Sequence, residues 1–155
     1  MKLRLLVPET KKASMAETSI RRYLPRTSKY INVEAVYFKP EKNGDSSFKK
    51  NKDADKVLKL VPSQAHLIAL DEKGDDVGTK TLLTKINNIY SSSPNVEIWI
   101  LVGGPFGLDA RVKKRANTLL RLSQLTFNSE VATAVLAEQV YRIFSLKHGH
   151  PYHNE

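Results

Sequence analysis

Glu97–Val102 (EIWILV) is an almost unbroken apolar run that opens directly into Gly103-Gly104-Pro105-Phe106-Gly107. A short run of this kind, rich in branched and aromatic residues, reads as a buried strand. Glycines at its carboxyl end allow a tight turn and let backbone amides approach a ligand, and open α/β sheets bind ligands beyond that end. The spacing is not GxGxxG and no GK[ST] follows, so nicotinamide and P-loop readings are weak. A strand-to-helix turn that holds nothing is the competing account of the same five residues.

The rest of the chain alternates in the same way. Residues 2–7 and 31–38 read as strands, the second rich in branched and aromatic residues. Residues 13–24 read as a helix with Met15, Ile20 and Leu24 for its buried side, ended by Pro25. Residues 39–53 are polar and charged and read as a long surface loop, followed by a short helix over 53–60. Residues 65–70 (AHLIAL) suit a buried parallel strand, with a turn at Asp71-Glu72-Lys73-Gly74. A helix over 79–90 places Leu82, Leu83, Ile86 and Ile89 on one side. After the glycine turn come a helix over 109–119, a short strand near 120–127, and a last helix capped by Asn128 or Ser129 and running to about 146. Strands alternating with helices predict one α/β domain, a mainly parallel sheet flanked by helices, over all 155 residues.

Charge narrows the partners. The formal net charge is +9, and residues 1–60 hold 15 Lys and Arg against 7 Asp and Glu. A basic surface attracts polyanions by steering and counterion release, which keeps nucleic acid in view without selecting it. No apolar run approaches the roughly 18–20 residues that span a bilayer, and no basic stretch carries a long apolar helical face. The absence of cysteine excludes disulfides, thiolate catalysis and a thiolate zinc site, and fits a reducing cytoplasm. His148, His150 and His153 cluster without a carboxylate or distant histidine at ligand spacing, so no metal is expected.

The last helix and the tail carry the remaining chemistry. Leu136, Val140, Ile143 and Phe144 form an apolar stripe that reads as core. Glu138 and Arg142 stand four apart in the order that favours a helix ion pair; alternatively Arg142 faces an anionic substrate or a developing negative charge. Pro151-Tyr152-His153 is either a frayed end or a segment that folds back, Tyr152 stacking a base and His153 standing near a titrating proton.

In their joint order these elements resemble the small SPOUT methyltransferases of the RlmH type. The resemblance rests on Ala69-Leu70-Asp71, Gly103-Gly104-Pro105 with Gly107-Leu108, Leu122-Ser123 with Leu125-Thr126-Phe127, Ala137-Glu138-Gln139 with Tyr141-Arg142, and Pro151-Tyr152-His153. It implies a C-terminal trefoil knot over about residues 97–155, which no periodicity could reveal. It also implies S-adenosylmethionine as cofactor, contacted by Leu70, Gly103, Gly104 and the segment Leu122, Ser123, Gln124, Leu125, Thr126 and Phe127. The family is similar in being homodimeric and in methylating the N3 atom of a pseudouridine in large-subunit ribosomal RNA. That implies Arg142, Tyr152 and His153 as catalytic residues. Arg111, Lys113, Lys114 and Arg115, with the basic first 60 residues, are expected to meet RNA. A transfer RNA target, or a silent RNA- or ribosome-binding relative, is the alternative. Departures stand out: Asn128-Ser129 replaces the family's Pro-His pair, Thr133 its arginine, Pro8 a glycine and Asn154 a basic residue.

Overall fold

The computed structural model describes residues 1–154. Five parallel strands, β1 (Lys2–Pro8), β2 (Asn32–Phe38), β3 (His66–Asp76), β4 (Glu97–Val102) and β5 (Thr118–Arg121), form one sheet in the order β2-β1-β4-β3-β5. Each connection between strands carries a helix: α1 (Met15–Thr27), α2 (Ser46–Leu60), α3 (Thr79–Ser92) and α4 (Ala110–Arg115), with α5 (Ser129–Lys147) closing the chain.

Strand alternation sorts the side chains into two layers. Leu3, Leu5, Val7, Ile68, Ile98, Ile100, Val102 and Leu120 point to one face, where α1, α3 and α5 cover them through Ile20, Leu24, Ile86, Leu136, Val140 and Phe144. Leu6, Leu67, Ala69, Trp99 and Leu101 point to the other, under Ala54 and Val57 of α2 and Val112 of α4. Each fully buried leucine, isoleucine or phenylalanine contributes about 1.5–3 kcal/mol of transfer free energy. The chain therefore leaves β3 towards one face and β4 towards the other. Adjacent strands whose exits diverge open a crevice at their carboxyl ends, which is where such sheets bind ligands.

Several boundaries differ from the sequence expectation. Pro25 does not end α1, which continues to Thr27. Buried Leu24 and Thr27 hold the last turn, and the Thr27 hydroxyl and the Ser28 amide donate to the Tyr23 and Leu24 carbonyls. Residues 39–53 are not a long loop: α2 begins at Ser46, with the Asp45 carboxylate accepting the Phe48 amide at 2.8 Å. Residues 71–74 are not a turn, because β3 runs on to Asp76 with its register against β5 shifting between Leu70 and Asp75. Finally, α4 stops at Arg115 and β5 spans Thr118–Arg121, which leaves residues 122–128 as connecting backbone.

Candidate active site

That crevice is a cavity of about 560 Å³ walled by residues 70–73 after the buried part of β3, 102–108 after β4, and 121–129 after β5 without Gln124. Its size lies within the range of small-molecule sites, roughly 300–1,000 Å³. Leu70, Val102, Leu122 and Phe127 give it apolar surface, and Asp71, Lys73, Lys113, Ser123, Thr126 and Asn128 are among the polar residues that line it. At Gly103 a Cβ would stand 2.9 Å from the Leu108 side chain, and at Gly104 one would stand 3.0 Å from Asp53 Oδ2. Gly107 adopts φ +81 and accepts no other residue without strain; its amide donates to the Gly104 carbonyl at 3.2 Å, closing the turn. Gly103 and Gly104 therefore bring side-chain-free backbone to the cavity, whose mixed apolar and polar lining suits an adenosine with an amino-acid tail. Leu70, Gly103, Gly104, Leu122, Ser123, Leu125, Thr126 and Phe127 all line the cavity.

Asp71 and Lys113 stand together on its wall, 3.0 Å apart, with the Asp71 carboxylate also accepting the Lys73 amide at 2.8 Å. Burial alone would raise this carboxyl, but the Lys73 amide and the Lys113 ammonium outweigh it and hold it below the ordinary value. A depressed carboxyl stabilises the fold above its unfolded pKa, and that stability is lost as pH falls through the depressed value. In Lys113→Met burial goes less opposed, so the carboxyl rises. Acid unfolding of this variant should begin at higher pH, within about pH 3–5, read by circular dichroism against pH.

The other three basic residues expected to meet RNA are distributed differently. Arg111 donates to Asp55 at 2.8 Å and to the Asn51 carbonyl at 2.9 Å, pinning α4 to α2. Arg115 donates to the Pro62 and Ala65 carbonyls at 2.8 and 2.9 Å. Lys114 makes no ion pair among the described residues. Two of the four are therefore bracing side chains, a third, Lys113, holds Asp71, and only Lys114 stands unbraced.

Arg142, Tyr152 and His153 do come together. Arg142 donates to Glu138 Oε1 through Nε at 3.0 Å, the Tyr152 hydroxyl donates to the same oxygen at 3.1 Å, and the guanidinium lies 4.9 Å from the Tyr152 ring centroid. The tail folds back: Tyr152 meets Tyr141 edge-on at 4.6 Å. Bonding to Glu138 raises the Arg142 pKa, fixing its charge. Burial, with Tyr23 and Glu138 beside it, pushes the Tyr152 hydroxyl well above its ordinary value, so it acts as a neutral donor and not as a base. Arg142 Nη1 donates to His153 Nδ1 at 3.4 Å, which leaves the imidazole proton on Nε2. The Thr79 hydroxyl donates to Gln139, and the Gln139 amide donates to Glu138, so α3 steadies the group.

This group is not in the cavity. The α5 residue nearest Arg142 that lines it is Ala132, ten positions earlier, about 15 Å along the helix axis. Of the residues in the family's departures, Asn128 and Ser129 line the cavity while Asn128 caps α5 through the Val131 amide at 2.9 Å. Thr133 is 1% exposed and donates to the Ser129 carbonyl. Sequence reasoning missed Lys50 and Lys73 on the wall. Lys73 followed from Asp71-Glu72-Lys73 beside a motif already singled out; nothing local marked Lys50, brought in from α2 by the fold.

A family model described as "Predicted SPOUT methyltransferase" matches residues 1–153. The chain belongs to the SPOUT methyltransferase family. Among curated proteins it is similar to Ribosomal RNA large subunit methyltransferase H of Syntrophotalea carbinolica, 35% identical over 132 residues and 83% of each chain. It is also similar to the protein of that name from Laribacter hongkongensis, 33% identical with both chains covered in full. Among solved structures it resembles a probable methylase family protein from Haemophilus influenzae Rd KW20 with a TM-score of 0.57 and 10% identity, over 95% of this chain and 66% of that one, a likeness of fold alone. Among the described residues no helix is long and apolar enough to cross a membrane.

Proposed function

We propose that this protein methylates the N3 atom of a pseudouridine in large-subunit ribosomal RNA, with S-adenosylmethionine held in the cavity beyond β3, β4 and β5. The observation that carries the reading is the glycine-floored cavity in a chain that matches its ribosomal RNA methyltransferase relatives end to end. A trefoil threading of the chain over about residues 97–155 would wrap the cofactor. When bound, the cofactor supplies an electrophilic methyl group. The backbone of Gly103 and Gly104 and the walls of Leu70, Leu122 and Phe127 hold it and exclude water.

The reaction forms a nitrogen–carbon bond at N3, breaks the sulfur–carbon bond, and releases the N3 proton. Arg142 offsets the negative charge that gathers on the imide. As it turns to that charge it frees His153 Nδ1, the position able to take the proton. Tyr152 orients both. The distance of about 15 Å between this group and the cavity along α5 favours a two-fold dimer in which each tail serves the partner's cavity.

Calorimetry with S-adenosylmethionine and mass mapping of ribosomal RNA from a strain lacking the protein test the reading. Cofactor binding and one vanished methyl mark on a pseudouridine are expected. Absence of cofactor binding would leave a silent ribosome-binding protein, and a vanished mark in transfer RNA would move the target.

A further inference from the structure

Pro105 and Phe106 form the tip of the turn closed by the Gly107 amide on the Gly104 carbonyl, and Phe106 lines the cavity while 42% exposed. The Lys49 ammonium lies 5.0 Å from the centre of its ring. One turn away on α2 the pattern repeats: Phe48 is 47% exposed, with the Lys52 ammonium 5.5 Å from its ring centre. Phe48 is propped from below, because Gly44 at φ +93 lies so close that a Cβ there would stand 2.5 Å from the ring. Lys50, on the same helix, reaches the cavity wall. Among the described residues, none of Lys49, Lys50 and Lys52 forms an ion pair.

Two aromatic faces held in the open lose apolar burial, and within the fold they gain only an exposed cation–π contact each, worth about 0.5–1 kcal/mol. Aromatic faces stack bases at little cost in specificity, and lysines beside them take the intervening phosphates. Of the other basic side chains near the cavity, Arg111, Lys113 and Arg121 are committed to Asp55, Asp71 and Asp76, while Lys73 lines the wall without an ion pair among the described residues. We infer that the start of α2 and the Phe106 turn form the RNA-reading lip of this site: Phe106 stacks a base of single-stranded RNA at the cavity mouth, and Lys49, Lys50 and Lys52 neutralise the phosphates leading to Phe48. This rests on the reading of the protein as an RNA methyltransferase.

The test uses the full-length protein and assembled large ribosomal subunits from a strain lacking it. Phe106→Ala should weaken subunit binding and, at saturating S-adenosylmethionine, raise the KM for the subunit about tenfold. Phe106→Tyr should restore binding and Phe106→Leu should not, since stacking needs a π face. Lys49→Gln with Lys50→Gln should flatten the plot of log affinity against log salt by about 0.7 per lysine. Ultraviolet cross-linking should join the lip to RNA; a cross-link to ribosomal protein alone overturns the inference. So does recovery in Phe106→Leu. If wild type transfers no methyl group while Phe106→Ala still loses binding, the functional reading fails and the lip stands. If wild type turns over and Phe106→Ala matches it, only the lip fails.

Discussion

Arg142→Ala is expected to lower methyl transfer by about 100–1,000-fold while cofactor affinity stays as in wild type. Removing one preorganised donor to a developing anion has effects of that size, and Arg142 does not line the cavity where the cofactor would sit. The guanidinium is held by Glu138, and its raised pKa keeps it charged through any working pH. Loss of the side chain also leaves the Glu138 carboxylate with Tyr152 and Gln139 alone, so Glu138→Gln is the necessary companion. That variant keeps the arginine and loosens its placement, and it should fall less. Complementation tests where the group acts. Gly104→Val crowds the Asp53 carboxylate behind the glycine turn, displaces the turn that walls the cavity, and should silence the cofactor site. If the two-fold dimer proposed above forms, mixing Arg142→Ala and Gly104→Val chains should recover about a quarter of wild-type activity, half the dimers being mixed and each with one complete site. Single-turnover transfer in Arg142→Ala at the wild-type rate would remove Arg142 from the chemistry.

Legibility followed the range of the interaction responsible. The first four strands and the parallel arrangement were readable, because buried strands need apolar runs and parallel ones need helices between them, while the fifth was expected near 120–127 and lies at Thr118–Arg121. The cavity floor was readable too, since Gly103-Gly104 followed a strand with no break. What misled were polar residues placed by distant partners. The stretch Asp45-Ser46-Ser47-Phe48 looks like loop and is a helix start, because Asp45 caps it and Ala54 and Val57 bury its far end. Asp71 to Gly74 has turn composition, yet it lies within β3 as an irregularity, because Leu70 before it and Asp75 after it both pair with Leu120 of β5. Pro25 carries a strong local stop signal that two buried anchors override. The basic run from Arg111 to Arg115 is a separate case, a cationic patch by composition whose partners within the fold the sequence does not show. Only the fold reveals that Arg111 and Arg115 spend their donors on Asp55, Pro62 and Ala65. The tail chemistry was legible as a set of residues and not as a location: the separation of Arg142 from the cavity is a property of helix length.

Gly74→Ala should be the most damaging single methyl group in the chain. The added Cβ would lie 2.6 Å from the Leu120 carbonyl carbon, 2.7 Å from the Leu120 nitrogen and 2.8 Å from the Leu119 carbonyl carbon. All three atoms are backbone, so no side chain can swing aside. The conformation of Gly74 is not the difficulty; the close approach of β5 is. Relief requires β3 and β5 to part at the register shift between Leu70 and Asp75. Overpacking a core typically costs about 1–3 kcal/mol, and breaking strand pairing here should bring the loss to about 3 kcal/mol or more, a large share of the 5–15 kcal/mol that holds a domain together. The functional cost follows from position. β5 delivers residues 121–129 to the cavity, so a displaced β5 removes one of its three walls. Thermal unfolding should show a midpoint many degrees lower, and calorimetry should show cofactor binding lost even where the variant remains folded. Gly78→Ala is the control, since a Cβ there meets nothing within 4 Å, and its midpoint should stay near wild type. If Gly74→Ala unfolds at the wild-type temperature and binds cofactor normally, the β3–β5 contact is looser than drawn, and the cavity does not depend on it.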